Sequence, residues 1–329
     1  MHMFIPCLFK MERIAIIIFI IILCYDSIVC PVPNMSNNFI DLKSLPRIVA
    51  GEYARIEEVP YIVRISAASK ICTGAVIHTS WVLTAAHCIF TPLTPEKMKI
   101  LAGIDDISNE NKSQRRVAEK IVVHKLYVKN GVGFSDLALI KVNKPFTLST
   151  NVAVLNLSNE IWPQDKKLQY NRPCLVVGWG SEKAGKKGSL LLKKLTLTAR
   201  HGPEGCDCWN VVQNRNLVCL NANKGKGICS GDSGGPLVCD NKGVGVAHII
   251  YRTKGCHLTE YDNTFLKRKL ECEGATGAYM YLCPYLDWVN EHIPNTPKTP
   301  INCKGSVIEN KHLELFIFFN LITLQLIIL

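Results

Sequence analysis

Gly231-Asp232-Ser233-Gly234-Gly235-Pro236 decides how this chain is read. A serine bracketed by glycines sits on a tight turn, and the missing Cβ atoms let a carbonyl compound approach its hydroxyl. Backbone N–H groups of Gly231 and Ser233 are expected to converge on one point, where they would stabilise a developing oxyanion. Alone, such a turn is an ordinary loop. A serine hydroxyl needs a base to take its proton, and the base needs an acid to fix its tautomer. Thr84-Ala85-Ala86-His87-Cys88 supplies a histidine among small residues. Ser135-Asp136-Leu137-Ala138-Leu139-Ile140 supplies a carboxylate at the mouth of a strand-like run.

The surroundings of these segments are all-β in character. Tyr61 to Ile65, Ala75 to Ile77, Trp81 to Thr84, Ile121 to Val123, Leu137 to Val142 and Leu175 to Val177 are short apolar runs between Gly, Pro and Asn clusters. Such spacing predicts a sandwich or barrel. Tyr285 to Ile293 is the helix candidate, with Leu286, Val289, Asn290 and Ile293 at i, i+3, i+4 and i+7.

At this point the chain resembles the chymotrypsin-like serine proteases. The motifs TAAHC, SDLALI and GDSGGP occur in that family's order, and the match runs from Ile48 to about Ile293. The resemblance implies two six-stranded antiparallel β-barrels with the active site between them and a C-terminal helix. It implies His87 as general base, Asp136 as its orienting acid and Ser233 as nucleophile, on a protein or peptide substrate, with no cofactor and no metal. Asp105, Asp106 and Glu110 read as a solvated turn, not a calcium loop.

Leu45-Pro46-Arg47-Ile48-Val49-Ala50-Gly51 resembles the family's activation site. Cleavage after Arg47 would free the amino group of Ile48 to pair with Asp232, which is then expected to be buried and paired. An uncut chain would be nearly inactive. The resemblance also implies the disulfides Cys72–Cys88, Cys174–Cys239 and Cys229–Cys256. Cys219 is expected to pair with Cys208, or with Cys206 instead; Cys30, Cys272, Cys283 and Cys303 stay unassigned.

The substrate pocket departs from the trypsin pattern. Gly227 stands where trypsin-like members carry an aspartate, so a basic side chain has no anchor. Counting from Cys239 places His248-Ile249-Ile250 where the family usually has Ser-Trp-Gly. Gly227, Ile228, His248, Ile250 and Gly277 would make an apolar, shallow lining. It favours small or medium aliphatic P1 residues, with larger apolar ones second. An insertion from His257 to Thr276 carries Lys267, Arg268 and Lys269, with Cys272 to staple it.

Both chain ends differ from the middle. Ile14 to Leu23 is an aliphatic run behind Lys10, Glu12 and Arg13, which fits a secretory signal over 1–24, its end lying at Cys24, Ser27 or Cys30. A propeptide over 25–47, a protease domain over 48–294 and a linker over 295–314 follow. Residues 315–329, LFIFFNLITLQLIIL, carry no charge and follow a polar spacer and Gly305-Ser306, as in a lipid-attachment signal or a retained anchor. Fifteen cysteines without a CxxC pair speak against zinc ribbons and for an exported, disulfide-bonded protein. The sequons at Asn34, Asn111 and Asn156 agree.

The 329 residues carry 38 basic against 27 acidic side chains, net +11, spread along the chain. No basic block interleaves with aromatics, which argues against nucleic acid as a partner. The reading is therefore a secreted or membrane-tethered, monomeric zymogen that needs a separate trypsin-like activator, since an apolar pocket would not cut after Arg47. The alternative is a catalytically impaired homologue acting as a binding or regulatory module, suggested by the lost Ser-Trp-Gly segment.

Overall fold

Ile62-Val63-Arg64-Ile65-Ser66-Ala67 buries Ile62, Val63, Ile65 and Ala67 and leaves Arg64 and Ser66 partly open. That near-alternation, rich in β-branched residues, builds a strand with one face on a core. The computed structural model describes residues 51–67, 70–89, 94–129, 135–163, 171–181, 188–202, 205–206, 216–220, 227–251, 272 and 275–304.

In chain order the strands are β1 (Glu52–Tyr53), β2 (Ile62–Ala67), β3 (Lys70–His78), β4 (Trp81–Thr84), β5 (Lys99–Ala102), β6 (Gln114–Val123) and β7 (Ala138–Val142). Then come β8 (Asn171–Gly178), β9 (Lys193–Arg200), β10 (Leu217–Leu220), β11 (Pro236–Cys239), β12 (Lys242–Tyr251) and β13 (Thr276–Tyr281). The order β2-β3-β4-β7-β6-β5 closes on itself as one antiparallel barrel. The order β9-β10-β13-β12-β11-β8 closes through β8 and β9 as a second, with β1 laid along the outside of β9. Closure leaves neither barrel a free edge.

Each predicted run lies on a strand, apart from Tyr61 and Leu137, which fall one residue before β2 and β7. Trp81–Thr84 is the whole of β4, whereas Ile121 to Val123 is only the end of β6, whose earlier residues are mostly polar and half-buried. The first barrel fills with Val63, Ile65, Leu83, Ile100 and Leu139; the second with Trp162, Val176, Leu237 and Tyr279. Each such side chain stabilises by about 1.5–3 kcal/mol when fully buried. The predicted helix is α1 (Leu286–His292), which buries Leu286 and Val289 and stops before Pro294. One further turn, α2 (Ile301–Lys304), follows.

Five disulfides join the described residues: Cys72–Cys88, Cys174–Cys239, Cys206–Cys219, Cys229–Cys272 and Cys283–Cys303. One expectation is corrected and one open choice is decided. Cys229 bonds Cys272, not Cys256: Cys272 lies 5.3 Å, Cα–Cα, from Cys229, inside bridging range. Of the two partners left open for Cys219 on β10, it bonds Cys206, which lies 5.2 Å away, Cα to Cα, after the turn that leaves β9. Cys283–Cys303, unassigned from sequence, ties α2 to the start of α1. Cys208 and Cys256 lie outside the described residues, as do Asn34, Arg47, Ile48 and the segments 1–50 and 305–329.

Candidate active site

β4 ends at Thr84, and extended Ala85 leads into one 3₁₀ turn over Ala86–Cys88. Ala86 and Cys88 point inward, and the disulfide to Cys72 on β3 pins the turn. His87 is thereby turned outward, its side chain 33% exposed. Asp136 precedes β7. Its neighbour Ser135 takes the left-handed region, φ 45°, and its hydroxyl is hydrogen-bonded to Tyr285 Oη at 3.2 Å. That sharp turn drives Asp136 wholly out of solvent. There Asp136 grips His87 twice: Oδ1 accepts the backbone N–H at 2.8 Å, and Oδ2 lies 2.6 Å from Nδ1.

A third contact falls on the same carboxylate. His248 Nδ1 lies 2.6 Å from Asp136 Oδ2, so two imidazoles meet one oxygen. His248 is 8% exposed and lies on β12 where the register to β13 shifts between Ala247 and Ile249. A bulge places two residues opposite one and re-aims a side chain, here toward Asp136. Burial pushes the Asp136 carboxyl up, but the hydrogen bonds from His248 and His87 outweigh it and hold the group well below the usual carboxylate range. It is therefore ionised at working pH.

The serine turn is built on glycines that no other residue replaces. Gly231 and Gly234 have φ of 106° and 79°. A Cβ at Gly234 would collide with Thr84 Oγ1 and the Thr73 carbonyl. The Ser233 carbonyl accepts from Thr73 N–H at 2.8 Å, and Gly234 N–H donates to Ala247 O at 2.9 Å. The turn is thus stitched to β3 of the first barrel and β12 of the second. Cys88 Sγ lies 3.6 Å from the Ser233 carbonyl oxygen, which brings the histidine turn against the serine turn. Among the described residues, no hydrogen bond uses the N–H of Gly231 or Ser233, the two groups expected to face an oxyanion.

Asp232 points the other way, into a slot that exists because Gly178 and Gly180 have no side chains; a Cβ on either would collide with its carboxylate. It accepts from Gly180 N–H at 2.8 Å and Cys229 N–H at 2.9 Å. Burial raises its carboxyl to about 6, despite those two bonds.

Beside Ser233 opens a pocket of about 180 Å³. Ile228, His248 and Ile250 line it, together with Ile249 between them and with Cys229, Ser230 and Ala247. Gly227 and Gly277 do not line it. A Cβ on Gly277 would come 3.0 Å from Ile228 Cγ1, so this glycine makes room for the isoleucine and not for a substrate. Asn111 and Asn156 are on the surface. Asp105, Asp106 and Glu110 are occupied as acceptors: from Ile56 N–H, from Ser108 N–H and from Arg115.

Two closed six-stranded barrels, with a His–Asp pair from one and a glycine-bracketed serine from the other, define the chymotrypsin-like architecture. The family model described as Trypsin matches residues 48–268. Trypsin V-A of Rattus norvegicus is 32% identical over 249 residues, covering 75% of this chain and 89% of that one. Chymotrypsin-like elastase family member 1 of Canis lupus familiaris is 26% identical over 260 residues, 75% and 92% of the two chains. Among solved structures, human heparin binding protein superposes with a TM-score of 0.59 at 24% identity, covering 77% of this chain and all of that one. Mouse neuropsin, a serine protease, gives 0.60 at 20% identity, over 74% and 98%. The chain belongs to the trypsin family of serine endopeptidases.

Proposed function

We propose that the protein is an exported zymogen, activated by cleavage after Arg47, that cuts peptide bonds after small or medium apolar residues. Ser233 Oγ attacks the scissile carbonyl while His87 Nε2 takes its proton, and Asp136 holds His87 in the Nδ1–H tautomer. The oxyanion is received by the N–H groups of Gly231 and Ser233. Water then hydrolyses the acyl-enzyme at the same site. The observation that carries this reading is the double grip of Asp136 on His87, at 2.8 Å and 2.6 Å, against the serine turn.

Activation is supported by Asp232. Its buried carboxylate is met by two neutral N–H groups, and burial leaves it at about 6. The new ammonium of Ile48 would neutralise it and order the loop that carries Gly231. Three isoleucines in the pocket wall, Ile228, Ile249 and Ile250, support the P1 preference, with Ile250 where an open mouth would need glycine. Export rests on the aliphatic run at 14–23, the five disulfides and the exposed sequons Asn111 and Asn156. Attachment to the outer membrane face rests on the uncharged run at 315–329. Among the described residues, no helix is long and apolar enough to cross a membrane. A second reading, a binding or regulatory module, draws support from His248 crowding the Asp–His pair. Labelling with a fluorophosphonate after cleavage at Arg47 separates the two: an adduct on Ser233 supports the enzyme, and none supports the module.

A further inference from the structure

The pair His87–Asp136 is what the proposed chemistry uses; His248 is an addition to it. We propose that His87, Asp136 and His248 together form a chelating site for a divalent transition ion of the zinc class, and that occupying it switches the protease off. The inference rests on the proteolytic reading above only for its inhibitory half.

The donors are two imidazole nitrogens and one carboxylate oxygen. His87 Nδ1 and His248 Nδ1 each lie 2.6 Å from the same Asp136 Oδ2, and all three atoms fall within 4.8 Å of one another. Two histidines and a carboxylate with one position left open is a donor set that zinc and related ions favour. A hydroxyl or amide at position 248 would satisfy Oδ2 with a hydrogen bond equally well. Only an imidazole adds a second metal-binding lone pair.

The geometry needs a small adjustment. Zinc bonds of about 2.0–2.2 Å at tetrahedral angles put ligand atoms about 3.3 Å apart. Each nitrogen must therefore withdraw from Oδ2 by about 0.7 Å, and the two nitrogens, now within 4.8 Å of each other, must settle at the same spacing. His87 has room to turn, being a third exposed, and its edge gives the ion a way in from the cleft. Asp136 stays anchored through Oδ1 on the His87 N–H at 2.8 Å. The other grouping near His87, with Cys72 and Cys88, is no competitor because those sulfurs share a disulfide.

Inhibition follows from the proton positions. The metal takes the Nδ1 lone pairs, so each neutral ring must carry its single proton on Nε2, reached by exchange with solvent and with no net proton released. His87 Nε2 is then a donor and no longer able to accept the Ser233 proton. Activity falls in proportion to occupancy.

The test uses the full chain in three forms. In the uncut Ser233→Ala chain, cobalt(II) alone is titrated and the visible absorption of tetrahedral cobalt is read, followed by displacement with zinc(II). In the activated chain, zinc(II) is titrated against turnover of a small apolar ester. His248→Asn is made in both backgrounds, with His248→Ser as the alternative should it fail to fold. In the unmodified uncut chain, the imidazole Nδ1 resonances of His87 and His248 are followed by NMR as zinc(II) is added, which needs no variant. We expect a cobalt band, shifts at both Nδ1 atoms and zinc inhibition reversed by a chelator. His248→Asn should weaken zinc inhibition by about a hundredfold, since even outer-shell partners change affinity 10–100-fold. Absence of the band and of the Nδ1 shifts overturns the site. So does a His248→Asn chain with zinc sensitivity within about threefold of the parent. A band that His248→Asn removes, in a chain that never hydrolyses the ester, upholds the site and instead removes the proteolytic reading.

Discussion

His248 Nδ1 lies 2.6 Å from Asp136 Oδ2, the oxygen that also meets His87 Nδ1. Removing the second imidazole leaves a fully buried carboxylate with one strong donor fewer. A hydrogen bond to a charged group contributes about 1.5–3 kcal/mol. His248→Ala should therefore lower stability by about that amount near neutral pH. The folded Asp136 carboxyl is held below its ordinary value of 3.8, so its contribution is full above about pH 4 and is lost as pH falls through the lower folded value. The gap between parent and variant in thermal melts should then be widest above pH 4 and close in more acid solution. A gap that widens on acidification would contradict this account of Asp136.

Asp232 behaves in the opposite sense. Burial raises its carboxyl from 3.8 to about 6 in the uncut chain. The stability it carries is full below about pH 4 and is lost as pH rises through about 6, on the order of 3 kcal/mol. Asp232→Asn should lack this loss, so the parent should fall behind the variant across that window. After cleavage the Ile48 ammonium should reverse the trend, making the parent the more stable chain at pH 7. Melts of cut and uncut protein against pH measure both signs, and identical pH curves for parent and variant would rule the account out.

Ile250 closes one side of the pocket beside Ser233. Ile250→Gly should open it and move preference toward aromatic P1 residues. A single methylene in an apolar pocket is worth about 1–3 kcal/mol, or 10–200-fold in relative kcat/KM, so removing the four-carbon Ile250 side chain should shift relative kcat/KM by at least that range. A peptide library read on parent and variant checks this. Fastest turnover at Lys or Arg in the parent would contradict the apolar reading of Gly227.

The Cys229–Cys272 bridge closes a loop of 43 residues next to the serine turn. Cys272→Ser should cost about 4 kcal/mol by the loop-entropy argument. It should also release the Cys229 thiol. Peptide mapping of the unreduced protein should return Cys229 joined to Cys272, and a Cys229–Cys256 peptide would contradict the described pairing.

Much of this site is legible in the amino-acid sequence. His87, Asp136 and Ser233 stood out because nucleophilic chemistry needs those three types in mutually supporting settings, and small neighbours such as Ala85, Ala86 and Gly234 mark where close packing is required. Trp81–Thr84 announced itself as a strand because its residues are apolar and bounded. The start of β6, Gln114 to Glu119, did not, because a half-exposed barrel strand carries polar residues. The cysteine partners were legible only in part. Cys206 and Cys208 are two residues apart, and only the path of the chain after β9 separates them. Cys272 was hidden because nothing in the sequence says whether Cys256 or Cys272 comes within bridging range of Cys229. The position of His248 could be counted from Cys239, but its bond to Asp136 depends on a register shift that no composition or periodicity reveals.

The central claim is that Ser233 is an activated nucleophile under the control of Arg47. Mass spectrometry after fluorophosphonate treatment of cut and uncut chains tests it most directly. The account predicts an adduct on Ser233 in the cut chain, strongly reduced in the uncut chain and in His87→Ala. A cut, folded chain with an unlabelled Ser233, or equal labelling before and after cleavage, would contradict it.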